Sequence, residues 1–284
     1  MKALSDTTDR GPGLVVGPVF RGNWAYDTPL VDGVEPILAN AKLADAARTV
    51  FGVGVVRPQI VYVNLTLPMP CGDAGHTDVP AFRGVDRTKF PIWLLVTMGR
   101  SGLFERWRVR IATAVAWFYA GEGGALTYWP DGPDESPKTC EPRTNTALVG
   151  DNDVMFHRVE SVGGADDGMV RGLTLDAELA FAGGGQWEVR DAGTVLVREP
   201  EGRVRISLSW KAMVFDDAAD VARFDDHTDD LAFPQALDIL QADMAARGTP
   251  ITLPGDPLHD PALVRTLSRA YHQAPTMYSW GRAQ

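Results

Sequence analysis

The sequence predicts a mainly β fold, a β-sandwich or jelly-roll body with helices at both ends. Three observations support this prediction. Short aromatic and β-branched segments recur between about residues 58 and 215, Gly and Pro turns separate them, and helical patterns flank them on both sides. With 45% hydrophobic residues, the 284-residue chain can bury a full core. We therefore expect residues 1–284 to form a single domain.

A helix is expected near the N-terminus, over about residues 36–50. The segment PILANAKLADAARTV begins at a proline, as helices often do, and its apolar residues recur on one helical face. In QIVYVNLTL (59–67), by contrast, apolar residues occupy every second position and alternate with Tyr62, Asn64 and Thr66. This segment is predicted to be a strand with two different faces.

Further strands are predicted from segments rich in aromatic and β-branched residues that end at Gly, Pro or polar turns. They lie at FPIWLLVTM (90–98), 106–120, 123–130, two short stretches within 145–163, 169–181 and 203–215. The segment WEVRDAGTVLVRE (187–199) has the pattern of a hairpin. Together these segments predict the β core.

The chain becomes acid-rich and helical after Phe215, which predicts a C-terminal helical extension over about 216–284. One helix is expected to end at Gly248, and another to begin with Asp260 as N-cap. The latter carries an apolar stripe, which we expect to pack on the body of the protein; it consists of Leu263, Leu267 and Tyr271. The aromatic terminus MYSWGRAQ favours a role at a pocket or interface over plain scaffolding.

Charge and composition exclude several classes of function. A net charge of −10 without a long Lys/Arg cluster argues against nucleic-acid binding. No stretch approaches the roughly 18 to 20 apolar residues that cross a bilayer, and no signal-peptide pattern opens the chain. Cys71 and Cys140 are expected to be free thiols. We expect a cytoplasmic monomer or homodimer without membrane or nucleic-acid partners.

Common cofactor motifs are missing from the sequence. The glycine clusters GVGVV and GEGGA lack the full G-x-G-x-x-G pattern, and there is no G-K-[ST]. There is also no H-E-x-x-H and no paired C-x-x-C. Nucleotide cofactors, zinc hydrolysis and structural zinc are therefore poorly supported.

One short motif does indicate metal chemistry. His76 and Asp78 are two residues apart just after the 59–67 strand, so an extended backbone points both side chains the same way. His157, in DVMFHRV about eighty residues later, is the candidate third ligand. Two histidines and one carboxylate form the facial arrangement of non-haem Fe(II) oxygenases, which leaves the opposite coordination positions open.

H-x-D alone is weak evidence, because the chain contains a second copy at His227-Thr228-Asp229. That copy lies in an acidic segment before helices, and we interpret it as a solvated turn. A structural role for His76 and His157 is the competing hypothesis, in which the protein is a non-catalytic cupin-like small-molecule-binding domain. Asp78 argues against it, because burying a carboxylate without a cation or donor is costly.

Four motifs follow one another in a characteristic order along the chain: GHTD, WFYAGEGGALTYWP, NTALVGDNDVMFHRVESVG and RVRISLSW. Together, over roughly residues 58–215, they resemble the iron(II)- and 2-oxoglutarate-dependent dioxygenases. The resemblance implies a double-stranded β-helix (jelly-roll or cupin-like) core. It also implies His76, Asp78 and His157 as Fe(II) ligands, with 2-oxoglutarate and O2 as co-substrates.

The same resemblance implies that Arg205, with Ser207 in an R-x-S pattern, binds the distal carboxylate of 2-oxoglutarate. A guanidinium fork grips a carboxylate bidentately, and a hydroxyl adds a hydrogen bond. In many members this arginine follows the distal histidine by about a dozen residues, a spacing that fits Arg171 better. We favour Arg205, which requires residues 164–202 to be an insertion with an extra hairpin or strand.

The implied activity is hydroxylation of an unactivated C–H bond of a small molecule, with release of succinate and CO2. Desaturation, epoxidation and cyclisation remain open, because they use the same oxidising species. We expect an amino acid or a secondary-metabolite intermediate as substrate. The aromatic residues Trp117, Tyr128 and Trp129 either line its pocket or belong to the core.

Overall fold

The computed structural model describes residues 1–3, 16–71 and 75–272. Within them the helices are α1 Glu35–Leu38, α2 Ala41–Phe51, α3 Ile92–Ser101, α4 Ala218–Asp225, α5 Phe233–Ala246 and α6 Pro261–Ala270. The strands are β1 Lys2–Ala3, β2 Val19–Tyr26, β3 Thr28–Pro29, β4 Val55–Thr66, β5 Ala81–Phe82, β6 Arg108–Val109, β7 Ile111–Phe118, β8 Leu126–Trp129, β9 Lys138–Cys140, β10 Thr146–Gly150, β11 Phe156–Val159, β12 Glu178–Gly183, β13 Gln186–Asp191, β14 Thr194–Pro200 and β15 Arg205–Phe215. Short 3-10 helices cover Glu105–Trp107 and Glu201–Arg203.

The strands form antiparallel sheets. The large sheet has the order β10-β7-β15-β4-β2-β1-β12-β13-β14, with β3 beside β2. A three-stranded sheet has the order β11-β8-β9, and β5 pairs with β6. The prediction of a mainly β protein with helices at both ends is confirmed in this form.

The large sheet has two chemically different faces, because side chains alternate along each strand. On one face of β15, Leu208 and Trp210 belong to an apolar core that includes residues of α1 and α2. The indole nitrogen Nε1 of Trp210 donates a hydrogen bond of 2.8 Å to the carbonyl oxygen of Leu38 at the end of α1. The other face of β15 carries Arg205, Ser207, Ser209 and Lys211.

A second core joins α3, α5 and α6 at the C-terminal side. The stripe on α6 is buried as predicted, with Leu263, Leu267 and Tyr271 at most 5% exposed. The prediction of a strand at 90–98 is wrong, because most of this segment lies in α3. Leu94, Leu95 and Met98 are fully buried within one helix, and a short apolar run does not distinguish a strand from a buried helix.

Other differences concern the ends of elements. The helix predicted over 36–50 is divided at Asn40, whose side chain accepts a hydrogen bond from the Leu43 backbone N–H and caps α2. The strand predicted at 169–181 begins only at Glu178. The hairpin predicted at 187–199 is present as β13 and β14, so residues 164–202 do contain extra strands.

Three further sequence predictions concern the cysteines, the C-terminal segment and membrane spans. Both cysteines are free thiols, as expected. The aromatic terminus MYSWGRAQ lies outside the described residues. Within the described ranges, none of the helices is long and apolar enough to cross a membrane.

Candidate metal centre

Backbone hydrogen bonds hold the H-x-D segment beside β11. The N–H groups of His76 and His157 each donate to the carbonyl oxygen of the other residue, at 2.8 and 2.9 Å. The Asp78 N–H donates to the Asn152 carbonyl oxygen at 2.8 Å, in the turn before β11. These contacts place residues about eighty positions apart in one short antiparallel bridge.

The three predicted ligands lie together in the structure. His76, Asp78 and His157 each offer one ligand atom, and these atoms all lie within 4.8 Å of one another. Nε2 of His157 is 4.0 Å from Oδ1 of Asp78, and the two imidazole ring centroids are 4.7 Å apart. His157 is buried, while His76 is exposed, so the group opens towards solvent on one side.

The hydrogen bond of the His157 ring fixes its tautomer. Nδ1 lies 2.9 Å from the carbonyl oxygen of Met155, and a carbonyl oxygen only accepts, so Nδ1 carries the proton. Burial lowers the pKa of His157, which favours the neutral imidazole. The Nε2 lone pair is therefore available on the side of Asp78, as a metal ligand requires.

A partly buried lysine that sequence reasoning missed contacts the carboxylate of this group. Nζ of Lys211 on β15 lies 2.6 Å from Oδ2 of Asp78. Burial alone would raise the pKa of Asp78, but the charge and hydrogen bond of Lys211, together with the charges of His157 and His76, lower it. Asp78 is therefore ionised at neutral pH. The signal was present in the sequence, since Lys211 shares the two-residue period of Arg205 and Ser207.

A second carboxylate, that of Asp153, lies near this pair. Asp153 is only 5% exposed, and neither of its carboxylate oxygens has a hydrogen-bond partner among the described residues. Burial raises its pKa to about 7, although the charge of Lys211 acts in the opposite direction. Sequence reasoning placed Asp153 in a polar turn and assigned it no role.

The donor set fits a divalent transition metal. Two imidazoles and one ionised carboxylate are the ligands of the facial Fe(II) site, and they leave the remaining coordination positions free for other ligands. Lys211 holds the Oδ2 atom of Asp78, so Oδ1 is the oxygen that faces the two histidines.

Arg205 lies on the same inward face of β15 as Lys211, and it is 2% exposed. Its Nε donates to the Gly124 carbonyl oxygen at 2.8 Å, and its Nη1 donates to Oγ of Ser207 at 3.0 Å. Nη2 is buried and has no hydrogen-bond partner in the described part of the chain. Burial lowers the pKa of Arg205 to about 10, so the guanidinium stays charged at neutral pH. A buried cation with an unused donor fits an anionic ligand such as the 2-oxoglutarate carboxylate.

The alternative arginine is placed differently. Arg171 is exposed and lies in the irregular segment between β11 and β12, so it is not part of a strand. This placement favours Arg205 as the carboxylate-binding residue. It also agrees with the extra strands β12, β13 and β14 between His157 and Arg205.

The second H-x-D copy lies outside the centre, and the three aromatic candidates differ in burial. His227 has a positive φ of 53° and is exposed, and Asp229 pairs with Arg83 at 2.8 Å, in agreement with a polar turn at the second H-x-D. Trp117 and Trp129 are at most 1% exposed and therefore belong to the interior. Tyr128 pairs with His157 across β8 and β11 and is half-buried.

Comparisons with known proteins give limited additional information. No protein-family model matches the sequence, and no curated protein matches it. Among solved structures, the chain is similar to the crystal structure of an oxidoreductase of the 2OG-Fe(II) oxygenase family from Burkholderia pseudomallei. That similarity has a TM-score of 0.39 and 13% sequence identity, and it covers 71% of each chain. The functional assignment therefore depends on the geometry of the site.

Proposed function

We propose that this protein is an Fe(II)- and 2-oxoglutarate-dependent oxygenase. The observation that carries the proposal is that a possible metal-binding group and a buried arginine are connected by one strand, β15. The His76, Asp78 and His157 group can hold a metal, and β15 connects it to Arg205, whose buried Nη2 has no partner among the described residues. Lys211 contacts Asp78 from the same face of β15 that carries Arg205.

We further propose that the core is a double-stranded β-helix. The chain passes back and forth between the two sheets, except at β8 and β9, which are neighbours in the small sheet. This order supports the topology. In chain order, β4, β7, β10 and β15 lie in the large sheet, while the His76 bridge, β8, β9 and β11 lie at the small sheet. Eight segments divided between two facing sheets are the pattern of a jelly roll.

In the proposed enzyme His76, Asp78 and His157 hold Fe(II), and Arg205 with Ser207 binds the distal carboxylate of 2-oxoglutarate. Iron(II) with 2-oxoglutarate and O2 supplies the oxidation of an unactivated C–H bond, with release of succinate and CO2. The protein contributes the ligands, the orientation of both substrates and an interior that excludes water. Hydroxylation of a small molecule is the proposed reaction, with an amino acid or a secondary-metabolite intermediate as the substrate.

Succinate production tests the proposal. Purified protein with Fe(II), O2 and 2-oxoglutarate is expected to form succinate slowly even without the small-molecule substrate. His157→Ala should lose this activity, whereas His227→Ala, in the second H-x-D copy, should retain it. If wild-type protein forms no succinate and gains no thermal stability from a divalent metal, a non-catalytic binding domain becomes the better interpretation.

A further inference from the structure

A second arginine lies on the same inward face as Arg205. In the sheet register, Arg21 of β2 pairs with Asn64 of β4, and Asn64 pairs with Ser207 of β15. Directly paired residues of neighbouring antiparallel strands point to the same face of a sheet. Arg21 and Asn64 therefore face the interior that contains the metal group. Neither residue was selected as a site residue from the sequence.

In the part of the chain that the structure describes, Arg21 contacts neutral side chains and no carboxylate. Its Nε donates to Oδ1 of Asn64 at 2.9 Å, and its guanidinium carbon lies 4.2 Å from the centre of the Tyr62 ring. Among the residues that the structure describes, no acidic side chain forms an ion pair with it, and its two Nη groups make no hydrogen bond. All three residues are half-buried, so a small molecule can reach them.

Tyr62 connects this arginine to the metal group. It pairs with Ser209 across β4 and β15, one inward position before Lys211. Lys211 follows Ser209 by two residues on the same face of β15, and its Nζ contacts Oδ2 of Asp78 at 2.6 Å. Neighbouring side chains on one face of the sheet therefore connect Arg21, through Tyr62 and Lys211, to Asp78 of the metal group.

The charges on this face are unbalanced. The side chains on this face of β2, β4, β7 and β15 include four cations, Arg21, Arg57, Arg205 and Lys211, and no carboxylate. Arg57, at the far end of β4, forms an ion pair of 2.7 Å with Asp225. Lys211 is paired with Asp78, and the proposed function assigns Arg205 to 2-oxoglutarate. Within the described ranges, Arg21 is the cation on this face that remains without an anion.

We propose that Arg21 binds the carboxylate of the substrate to be oxidised, with the amide N–H of Asn64 as an additional donor and the Tyr62 ring as an apolar surface. This inference rests on the proposed function and narrows its substrate class to small carboxylic acids. A guanidinium fork binds a carboxylate through two hydrogen bonds and so orients the rest of the molecule. The substrate carbon chain then extends over Tyr62 towards the metal group.

The test uses protein loaded with Mn(II) and N-oxalylglycine, an unreactive analogue of 2-oxoglutarate. The probes are benzoate and the twenty common amino acids, each compared with its primary amide. Paramagnetic relaxation of probe protons by Mn(II) reports both binding and proximity to the metal. At least one acid is expected to bind near Mn(II) while its amide does not.

Variants then assign the binding to Arg21. Arg21→Gln should weaken binding of that acid about tenfold or more, as expected for the loss of charge-assisted hydrogen bonds. Arg21→Lys, which keeps the charge but loses the fork, should have intermediate affinity and shows whether the site survives a conservative change. Arg106→Gln is the matched control, because Arg106 stacks on Trp107 at 5.2 Å away from the inward face.

Three results would overturn the inference: no acid binds better than its amide, Arg21→Gln binds the acid as tightly as wild type, or Arg21→Gln mainly loses affinity for N-oxalylglycine. The last result would assign Arg21 to the co-substrate. Failure of Mn(II) to bind at all would instead contradict the proposed function.

Discussion

Lys211 and Asp78 form a partly buried ion pair within the proposed metal centre, with Nζ 2.6 Å from Oδ2. The pair balances the charge of a metal ligand before any metal binds. Because Oδ2 is occupied by the lysine, Asp78 presents its other oxygen towards His157, at 4.0 Å. Such outer contacts orient the ligands of metal sites.

Replacing Lys211 should destabilise the metal-free protein and increase its response to metal. Lys211→Met leaves the Asp78 carboxylate without its cation, at a cost of about 3 kcal/mol in the free energy of unfolding. Mn(II) restores a positive charge there, so Mn(II) should raise the Tm of Lys211→Met more than that of wild type. Thermal unfolding with and without Mn(II) measures both effects. Lys138→Met, on an exposed part of β9, is the control, and equal Mn(II) shifts in Lys211→Met and wild type would disprove this role.

Removal of a single ligand should abolish tight metal binding. Each of three variants leaves only two of the three ligands: His76→Ala, Asp78→Ala and His157→Ala. We expect Mn(II) affinity to fall by about 100-fold or more in each, because losing a ligand should cost more than losing a residue that only contacts a ligand. Isothermal titration calorimetry checks this expectation. His227→Ala and Asp229→Ala provide matched controls in the second H-x-D copy, and metal binding that depends on those two residues would contradict the assignment.

A methyl group at position 124 should disturb the carboxylate-binding arginine. Gly124 has a φ of +74°, and a Cβ there would lie 2.5 Å from Cδ of Arg205. Gly124→Ala should therefore displace the Arg205 side chain and weaken binding of 2-oxoglutarate about tenfold. Gly172→Ala is the control, since Gly172 has a φ of +76° with nothing within 4 Å. Both variants carry a similar backbone cost of about 1 kcal/mol, so an equal loss of 2-oxoglutarate affinity in the two would refute the steric explanation.

Asp153 should make the metal-free protein less stable as the pH rises. Burial raises its pKa from an ordinary 3.8 to about 7, so the folded state holds a proton that the unfolded state has already lost. Stability should then fall between about pH 4 and pH 7 and change little above that.

The variant Asp153→Asn removes this titration. Between pH 5 and pH 8 wild type should lose about 2 to 3 kcal/mol relative to Asp153→Asn, measured by urea unfolding in the presence of a chelator. A constant difference between the two proteins over this range would show that Asp153 does not titrate in the folded state near pH 7.

Local patterns in the sequence were sufficient for part of the fold. The alternation in 59–67 and 203–215 predicted β4 and β15, and the Asp260 N-cap predicted the start of α6, because each depends on neighbouring residues. The 90–98 segment was assigned wrongly because its structure depends on distant partners in α5 and α6. A run of apolar residues satisfies the burial requirements of either a strand or a helix.

The candidate site also divides into residues that the sequence identified and residues that only the folded structure identifies. His76, Asp78 and His157 were selected from spacing and resemblance, and the structure brings their ligand atoms together. Lys211, Asp153 and Arg21 were not selected, because their significance depends on the register between strands. It is the pairing of β2, β4 and β15 that places Arg21 and Lys211 on the side of the large sheet that is turned towards the metal ligands.

The most direct test of the account is the visible absorption of the oxygen-free protein with Fe(II) and 2-oxoglutarate. A weak metal-to-ligand charge-transfer band is expected in wild type, absent in His76→Ala, weakened in Arg205→Ala and unchanged in Arg171→Ala. A band that survives Arg205→Ala but not Arg171→Ala would move the carboxylate-binding role to Arg171. The absence of any band in wild-type protein at saturating Fe(II) and 2-oxoglutarate would contradict the proposed oxygenase function.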